Sequence, residues 1–433
     1  MKLKTCLITL SIAIIAFFNS CSNDYSDNVS NTLNSIILKA DATGNIIGIN
    51  QILTFTVEGN DGNDYTAQSQ IYVNGSPLSG NTHQFSEIGD YSYYAVYEGL
   101  TSNTLEFSVV DDNYMTLSNT LGLRGQVITF NYYDVNGTDL TDQTTFYVND
   151  NPISGNTFST DTAGEYQIYA IYEGLQSDSQ SFTIFIPRKK VALDDYTGTW
   201  CGWCPRVLTI VDLVEQQTDD VVVIAVHVND EMEFPQYQQL FDHFNINSAL
   251  PRLYKDRGEN VSVLQESDIP AAVQAFVDAA GTEVSTSIAI NTSLSGDNLN
   301  ISVSLISEQH IPDTYKLVVY VYQNGLVYDQ TNYYNNVEGS AWYQMGNPIP
   351  NFVHNHVLET SVTNLFGDNI AATPAYEIYT KTFNAVNLSQ FAHTDNGNSY
   401  STSRFGVIAY LVDENSNAIN AQTVEAGESV GFE

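Results

Sequence analysis

Cys201 and Cys204, in the run Thr199-Trp200-Cys201-Gly202-Trp203-Cys204-Pro205-Arg206, are the residues of this chain best suited to chemistry. A thiol reacts as its thiolate, and a cysteine at the first turn of a helix sits beside backbone N–H groups and the positive end of the dipole. Two intervening residues bring the second sulfur within bonding reach of the first. On this reading Cys201, nearer the preceding strand and more exposed, attacks a partner disulfide. Cys204, one turn further in, resolves the mixed disulfide. Trp200, Gly202 and Trp203 flank the pair as candidate contacts for the incoming chain.

The cysteine inventory points to local chemistry. The chain has four cysteines, Cys6, Cys21, Cys201 and Cys204. Cys6 lies in an apolar leader and Cys21 at its end, so one pair remains for the folded part. A disulfide-stapled scaffold needs several pairs. Half a zinc site has the same spacing and needs two further ligands. His354 and His356 are the candidates by spacing, because alternate residues of a strand share a face. Ordinary packing is the alternative reading for both histidines. The chain lacks a Gly-rich phosphate loop and a His-Glu-x-x-His motif. Asn60-Asp61-Gly62-Asn63-Asp64 reads as a turn, without a complete calcium-loop pattern. No cofactor is expected.

The elements that must position the pair are legible around it. Residues 191–196 read as a strand and 205–217 as a helix, with Val207, Leu208, Ile210, Val211 and Val214 near helical spacing. Residues 221–228 form an apolar run suited to a buried strand. A second helix is expected at 236–244, a hairpin from 252–255 and 261–264 about Gly258, and a last helix at 270–280. The pair thus lies between a strand and a helix in a β-α-β-α-β-β-α order.

That order and the Trp200-Cys201-Gly202 lead-in resemble the thioredoxin superfamily. The resemblance implies that Asp195, six residues before Cys201, is a buried acid assisting proton transfer. It also implies that Leu250-Pro251 holds the cis-proline that packs beside the cysteines and presents backbone to the substrate. Leu250 stands where the superfamily usually has Thr or Val. A second resemblance rests on 197–205 together with Asn351-Phe352-Val353-His354-Asn355-His356-Val357-Leu358. Both segments are similar to the family related to the twenty-eight-kilodalton outer membrane protein. It implies an envelope lipoprotein with a thioredoxin-like part, here 188–283, and a C-terminal β domain, here 284–433.

Upstream, an internal repeat dominates 34–187. Tyr72-Val73-Asn74 recurs as Tyr147-Val148-Asn149, and Tyr97-Glu98-Gly99-Leu100 as Tyr172-Glu173-Gly174-Leu175, at a constant offset of 75 residues. That offset exceeds a solenoid unit and suits two tandem domains, 34–111 and 112–187. Alternation at Tyr91, Tyr93, Ala95 and Tyr97, broken by Gly and Asn-Gly turns, predicts a small β-sandwich in each. Gly-x-Tyr-x-x-x-Ala resembles the penultimate strand of immunoglobulin-like domains, where a tyrosine bonds backbone at a corner. Residues 285–433, with strands at 287–292, 299–304, 316–322 and 404–412, read as one larger β-sandwich. Arg188-Lys189-Lys190 marks a domain boundary.

Fifty acidic against fourteen basic residues give a formal charge of -36. No basic stripe exists, which excludes a nucleic-acid partner. The scattered acids read as a solubilising surface, with cation binding in loops as the alternative. Lys2 and Lys4, an apolar run from Cys6 to Phe18, then Asn19-Ser20-Cys21 have the parts of a secretory leader, 1–20, whose end resembles a bacterial lipobox. That resemblance implies lipidation at Cys21, a membrane partner through the acyl chains, and an outer-membrane, lipid-anchored, surface-facing location. Residues 21–33 read as an acidic tether. Two functions stand open. One is thiol–disulfide exchange with protein thiols or disulfides of the envelope. The other is a surface binding or adhesion lipoprotein that uses the same fold as scaffold.

Overall fold

The computed structural model of the chain describes residues 33, 35–42, 44–110, 112–246 and 249–433. The expected leader, the lipidation site Cys21 and all of the tether but its last residue lie outside the described residues.

Tandem sandwiches follow from the repeat. In the first unit, Ile36–Ala40, Ile52–Gly59 and Thr82–Gln84 form one sheet, and the other is built around Gly89–Tyr97 and Leu105–Val110. In the second unit Tyr114–Leu117, Ile128–Tyr133 and Thr157–Phe158 repeat the first sheet, and Gly164–Tyr172 with Gln180–Phe185 the second. Period-2 alternation sends Phe55, Tyr93, Ala95 and Phe107 into one core, and Phe130, Ile168, Ala170 and Phe182 into the other. On the opposite sheet face Tyr72 stacks on Tyr94 at 4.9 Å, and Tyr147 on Tyr169 at 5.0 Å. The expected corner is present in both units. The Tyr91 hydroxyl donates to the Glu87 carbonyl at 3.0 Å, and Tyr166 to Thr162 at 2.9 Å. These are immunoglobulin-like sandwiches.

Beyond residue 190 one nine-stranded sheet dominates. Its main path runs Glu259–Val261, Arg252–Lys255, Val191–Thr197, Val221–His227, Val357–Ser361, Lys316–Gln323, Phe405–Val412, Ala418–Glu425. Segments on either side of residue 284 therefore share a single sheet, joined where Ala225 pairs with Val357. Pro205–Glu215 and Ile269–Val277 bury Val207, Ile210, Val214, Val273 and Phe276 against one face of its first four strands. Pro205 suits the first helical turn, whose N–H would lack a partner anyway. Tyr237–His243 covers the other face.

The last strands are buried on both sides, which is why they read as unbroken apolar runs. Leu317, Val319 and Val321 meet a four-stranded sheet that includes Thr286–Ser295, Asn298–Ser307 and Ile378–Asn387. Val318, Tyr320 and Tyr322 meet Tyr196, Phe241 and Tyr254. The hairpin differs from its expected place. Its second strand is Glu259–Val261, not 261–264, because Asp256 and Arg257 both take positive φ and make the turn tight. Val263 is buried beyond the strand end. The basic run at 188–190 is spent in the fold: Arg188 pairs with Asp220, Lys189 with Asp256 and Lys190 with Glu433. Arg124 of the second sandwich reaches Glu283 at 2.6 Å and Glu308 at 2.9 Å. Among the described residues no helix is long and apolar enough to cross a membrane.

Candidate functional site

Cys201 and Cys204 form a disulfide, with Cα atoms 5.4 Å apart, between the Val191–Thr197 strand and the Pro205–Glu215 helix. The loop that carries them is tied from below. The Asp230 side chain, 1% exposed, accepts the Thr199 amide at 2.8 Å and contacts His227 Nδ1 at 2.8 Å. Burial opposes the Asp230 charge, yet His227 and the backbone donors hold its pKa below the usual value. Trp200 is half-exposed, and its Nε1 donates to the Val228 carbonyl at 2.8 Å. Leu250-Pro251 is cis, and Pro251 precedes the strand whose Arg252 pairs with Tyr196. That register sets Pro251 at the strand end from which the cysteine loop departs. Leu250 packs against the core beside it.

Asp195 is buried in this strand, 1% exposed, and neither carboxylate oxygen has a hydrogen-bond partner. Burial pushes its pKa up to about 8. It faces a cavity of about 90 Å3 that is also lined by Leu208, Asp212 and Glu215 of the helix and by His356. Cys204, Leu208, Val211 and Glu215 follow one another at helical spacing, so the stripe over this cavity begins at the second cysteine. Burial also raises the pKa of Asp212 and Glu215. A space of this size has room for several waters among polar partners. The arrangement can therefore hold a proton on Asp195, in a cavity lined by the helix that Cys204 leads into.

The neighbouring Asp194 points to the other face of the sheet. Burial raises its pKa to about 6, against the pull of Arg257, whose Nη1 lies 3.9 Å away. Arg257 is fully enclosed by the rings of Phe244, Tyr320 and Tyr410, each centroid 5.2–5.4 Å from its Cζ. It locks the hairpin turn onto the far strands of the sheet.

Cys201 is the more exposed of the pair, at 3% against 0% for Cys204, yet both are buried. Residues 330–334, leaving the end of the Leu326–Gln330 strand, lie across the cysteine loop as a strap. The Thr331 amide donates to the Thr199 carbonyl at 2.8 Å, and the Tyr333 amide to the Gly202 carbonyl at 2.9 Å. Gln330 Nε2 donates to the Cys201 carbonyl at 3.1 Å. The Tyr333 ring lies so close over Gly202 that an added Cβ would stand 2.4 Å from it. Trp203, 45% exposed, makes edge contacts with Tyr333 and Tyr334, and the Arg206 Cζ lies over the Trp203 ring, 5.9 Å from its centroid.

The two histidines do not converge. His354 ends the Ile349–His354 strand and meets His227 edge-on at 5.3 Å, with Nε2 unpartnered. His356 takes φ 58° and turns toward Glu215, 3.7 Å away. Burial pushes His354 down to about 3 and His356 to about 4, so both are neutral at pH 7. Among the described residues no cluster of three His, Cys, Asp or Glu could hold a metal ion. A shared ion on these histidines is therefore not supported. The turn reading of the Asn60–Asp64 run fits, since Asp61 accepts the Asn63 amide and Asp64 the Thr66 amide.

Sequence reasoning missed Gln330, Tyr333, Arg257 and Glu215. Each acts through a contact more than ten residues away along the chain, and no local motif marks it.

The chain matches the family model of outer membrane protein Omp28 over residues 237–430. That region contains the Asn351–Leu358 motif and lies downstream of the cysteines. The match supports an outer-membrane location. Among solved structures, HBP35 of Porphyromonas gingivalis aligns at 18% identity and a TM-score of 0.42, over 55% of this chain and 76% of that one. Fibronectin(III)-like modules of Clostridium thermocellum CbhA align at 14% identity and 0.17, over 34% and 93%. Domains 5–6 of the S-layer protein SbsC align at 14% and 0.18, over 36% and 98%. Among curated proteins none matches the chain significantly.

Proposed function

We propose that this chain is a lipid-anchored outer-membrane protein whose Cys201–Cys204 disulfide exchanges with thiols and disulfides of envelope proteins. The observation that carries the reading is the meeting of three features toward one end of a strand: a helix-start disulfide, Leu250-Pro251 set there by the Tyr196–Arg252 register, and unpartnered, buried Asp195. Together they support a thioredoxin-like unit at 188–283. In its reductive direction, an external thiolate attacks Cys201, the S–S bond breaks, and the electron pair goes to Cys204. Asp195, protonated below about pH 8, supplies the proton that Cys204 takes up. The immunoglobulin-like units serve as spacers between an anchor at Cys21 and this site.

A second reading is favoured by the strap. A disulfide covered by Gln330–Tyr334 suits a surface binding lipoprotein whose pair is never reduced. Insulin reduction with dithiothreitol separates the two. Wild type is expected to turn over, and Cys201→Ser to fall to background. A wild type no faster than dithiothreitol alone sides with the binding protein.

A further inference from the structure

The strap is seated on the cysteine loop in the way an extended polypeptide would be. It offers two main-chain donors, Thr331 and Tyr333, to the Thr199 and Gly202 carbonyls. Between them one side chain points away from the loop and holds the strap to its own body. Asn332 Nδ2 donates to the Trp342 and Gly346 carbonyls at 2.9 Å each, and its Oδ1 accepts the Tyr334 amide. The Asn332 amide in turn donates to Asn347 Oδ1. Residues 332–347 are thus tied to one another as one piece. Toward the helix that piece is held by Trp342 Nε1 donating to Thr209 Oγ1 at 2.9 Å. Tyr334 and Trp342 also pack with Ile349, Leu208 and Phe352, so the part free to lift is 330–333, and none of the bonds that break there is a pairing within the nine-stranded sheet.

We propose that residues 330–334 are an internal stand-in for a partner, and that the face they cover is a groove for an extended polypeptide with an aromatic residue over Gly202. The occupant on the page states the recognition chemistry. An amide side chain reaches the Gly198 and Cys201 carbonyls. Alternate main-chain N–H groups pair with the loop. Three residues after the amide, a ring fills the space that glycine at 202 leaves open and meets the edge of Trp203. Main-chain pairing gives affinity and the aromatic position gives selectivity. The segment 332–347 carries exposed apolar side chains, Tyr333 at 51%, Tyr343 at 39% and Met345 at 47%, so a partner can contact it before displacing the strap. The inference builds on the exchange reading for its purpose, but the groove exists whether or not the disulfide turns over.

The test uses the chain with Gln330→Ala and Tyr333→Ala, and a synthetic peptide of residues 328–335. Binding is read from Trp203 fluorescence, and reduction by dithiothreitol is followed in parallel. The peptide is expected to bind the loosened chain and not the wild type, and a peptide with alanine in place of its Tyr333 to bind at least tenfold more weakly. The loosened chain is expected to be reduced at least tenfold faster than wild type, and added peptide to restore slow reduction. Gly202→Ala added to the loosened chain fills the space under the ring and is expected to weaken binding of the peptide at least tenfold. A peptide that binds none of these chains, or that binds wild type equally, overturns the groove. A disulfide inert to reduction in every chain while the peptide binds as described overturns the exchange reading alone.

Discussion

Asp195→Asn is expected to make the protein more stable at pH 7 by about 2 kcal/mol while slowing reduction of its disulfide about a hundredfold. The stability gain follows from burial. An unfolded-chain aspartate titrates near 3.9, and the folded one near 8. The folded state therefore binds the extra proton between those values. Its contribution is fully present below about pH 4 and is lost as pH rises to about 8. By pH 7 this amounts to a penalty on the order of 4 kcal/mol. An asparagine carries no ionisation penalty, but its buried amide is left unsatisfied at about 1–3 kcal/mol, which sets the net gain. Urea unfolding at pH 5, 7 and 9 checks the sign, since the difference between variant and wild type must grow with pH. The slower reduction follows from the loss of the proton donor for Cys204, an effect of about 10²-fold or more for general acids. A variant that is both less stable and equally reducible contradicts the placement of Asp195.

Arg257→Ala should lower stability by about 3–5 kcal/mol, the range for breaking a buried pair and leaving one charge behind. Burial works against the Arg257 charge, and Tyr320, Asp194 and Tyr196 hold its pKa above the usual value all the same. The guanidinium also donates to the Tyr320 hydroxyl at 3.2 Å, which in turn donates to the Leu365 carbonyl at 2.7 Å. Alanine would empty the space among three rings and strand Asp194. Because desolvation costs nearly as much as the pair returns, Arg257→Met combined with Asp194→Leu is expected to recover at least half of the loss. Thermal unfolding of the three proteins decides it. A single-variant loss below about 1 kcal/mol would show that Arg257 is not what fastens the hairpin to the far strands.

What could be read beforehand was whatever depends on residue type at short spacing. The cysteine pair, Asp195 six residues ahead and Leu250-Pro251 before a hairpin strand all lie within local patterns, and the structure brings them to one strand end. The repeat was legible because duplicated turns and core residues keep a fixed offset, down to the tyrosine corners at Tyr91 and Tyr166. The strap was not legible. Gln330 and Tyr333 act by main-chain and amide contacts about 130 residues away, and nothing in Thr331-Asn332-Tyr333 signals them. Nor could the fate of the histidines be read, because His356 takes a positive φ that ends the alternation on which a shared face depended. The hairpin register failed for a similar reason, at Asp256 and Arg257.

The most direct test of the exchange account is the reduction potential of the Cys201–Cys204 pair, taken by equilibrating the chain after Cys21 against dithiol buffers. A value between about -120 and -270 mV, the span of dithiol enzymes, is the predicted result. A pair that stays oxidised below about -300 mV, as structural disulfides do, would contradict it.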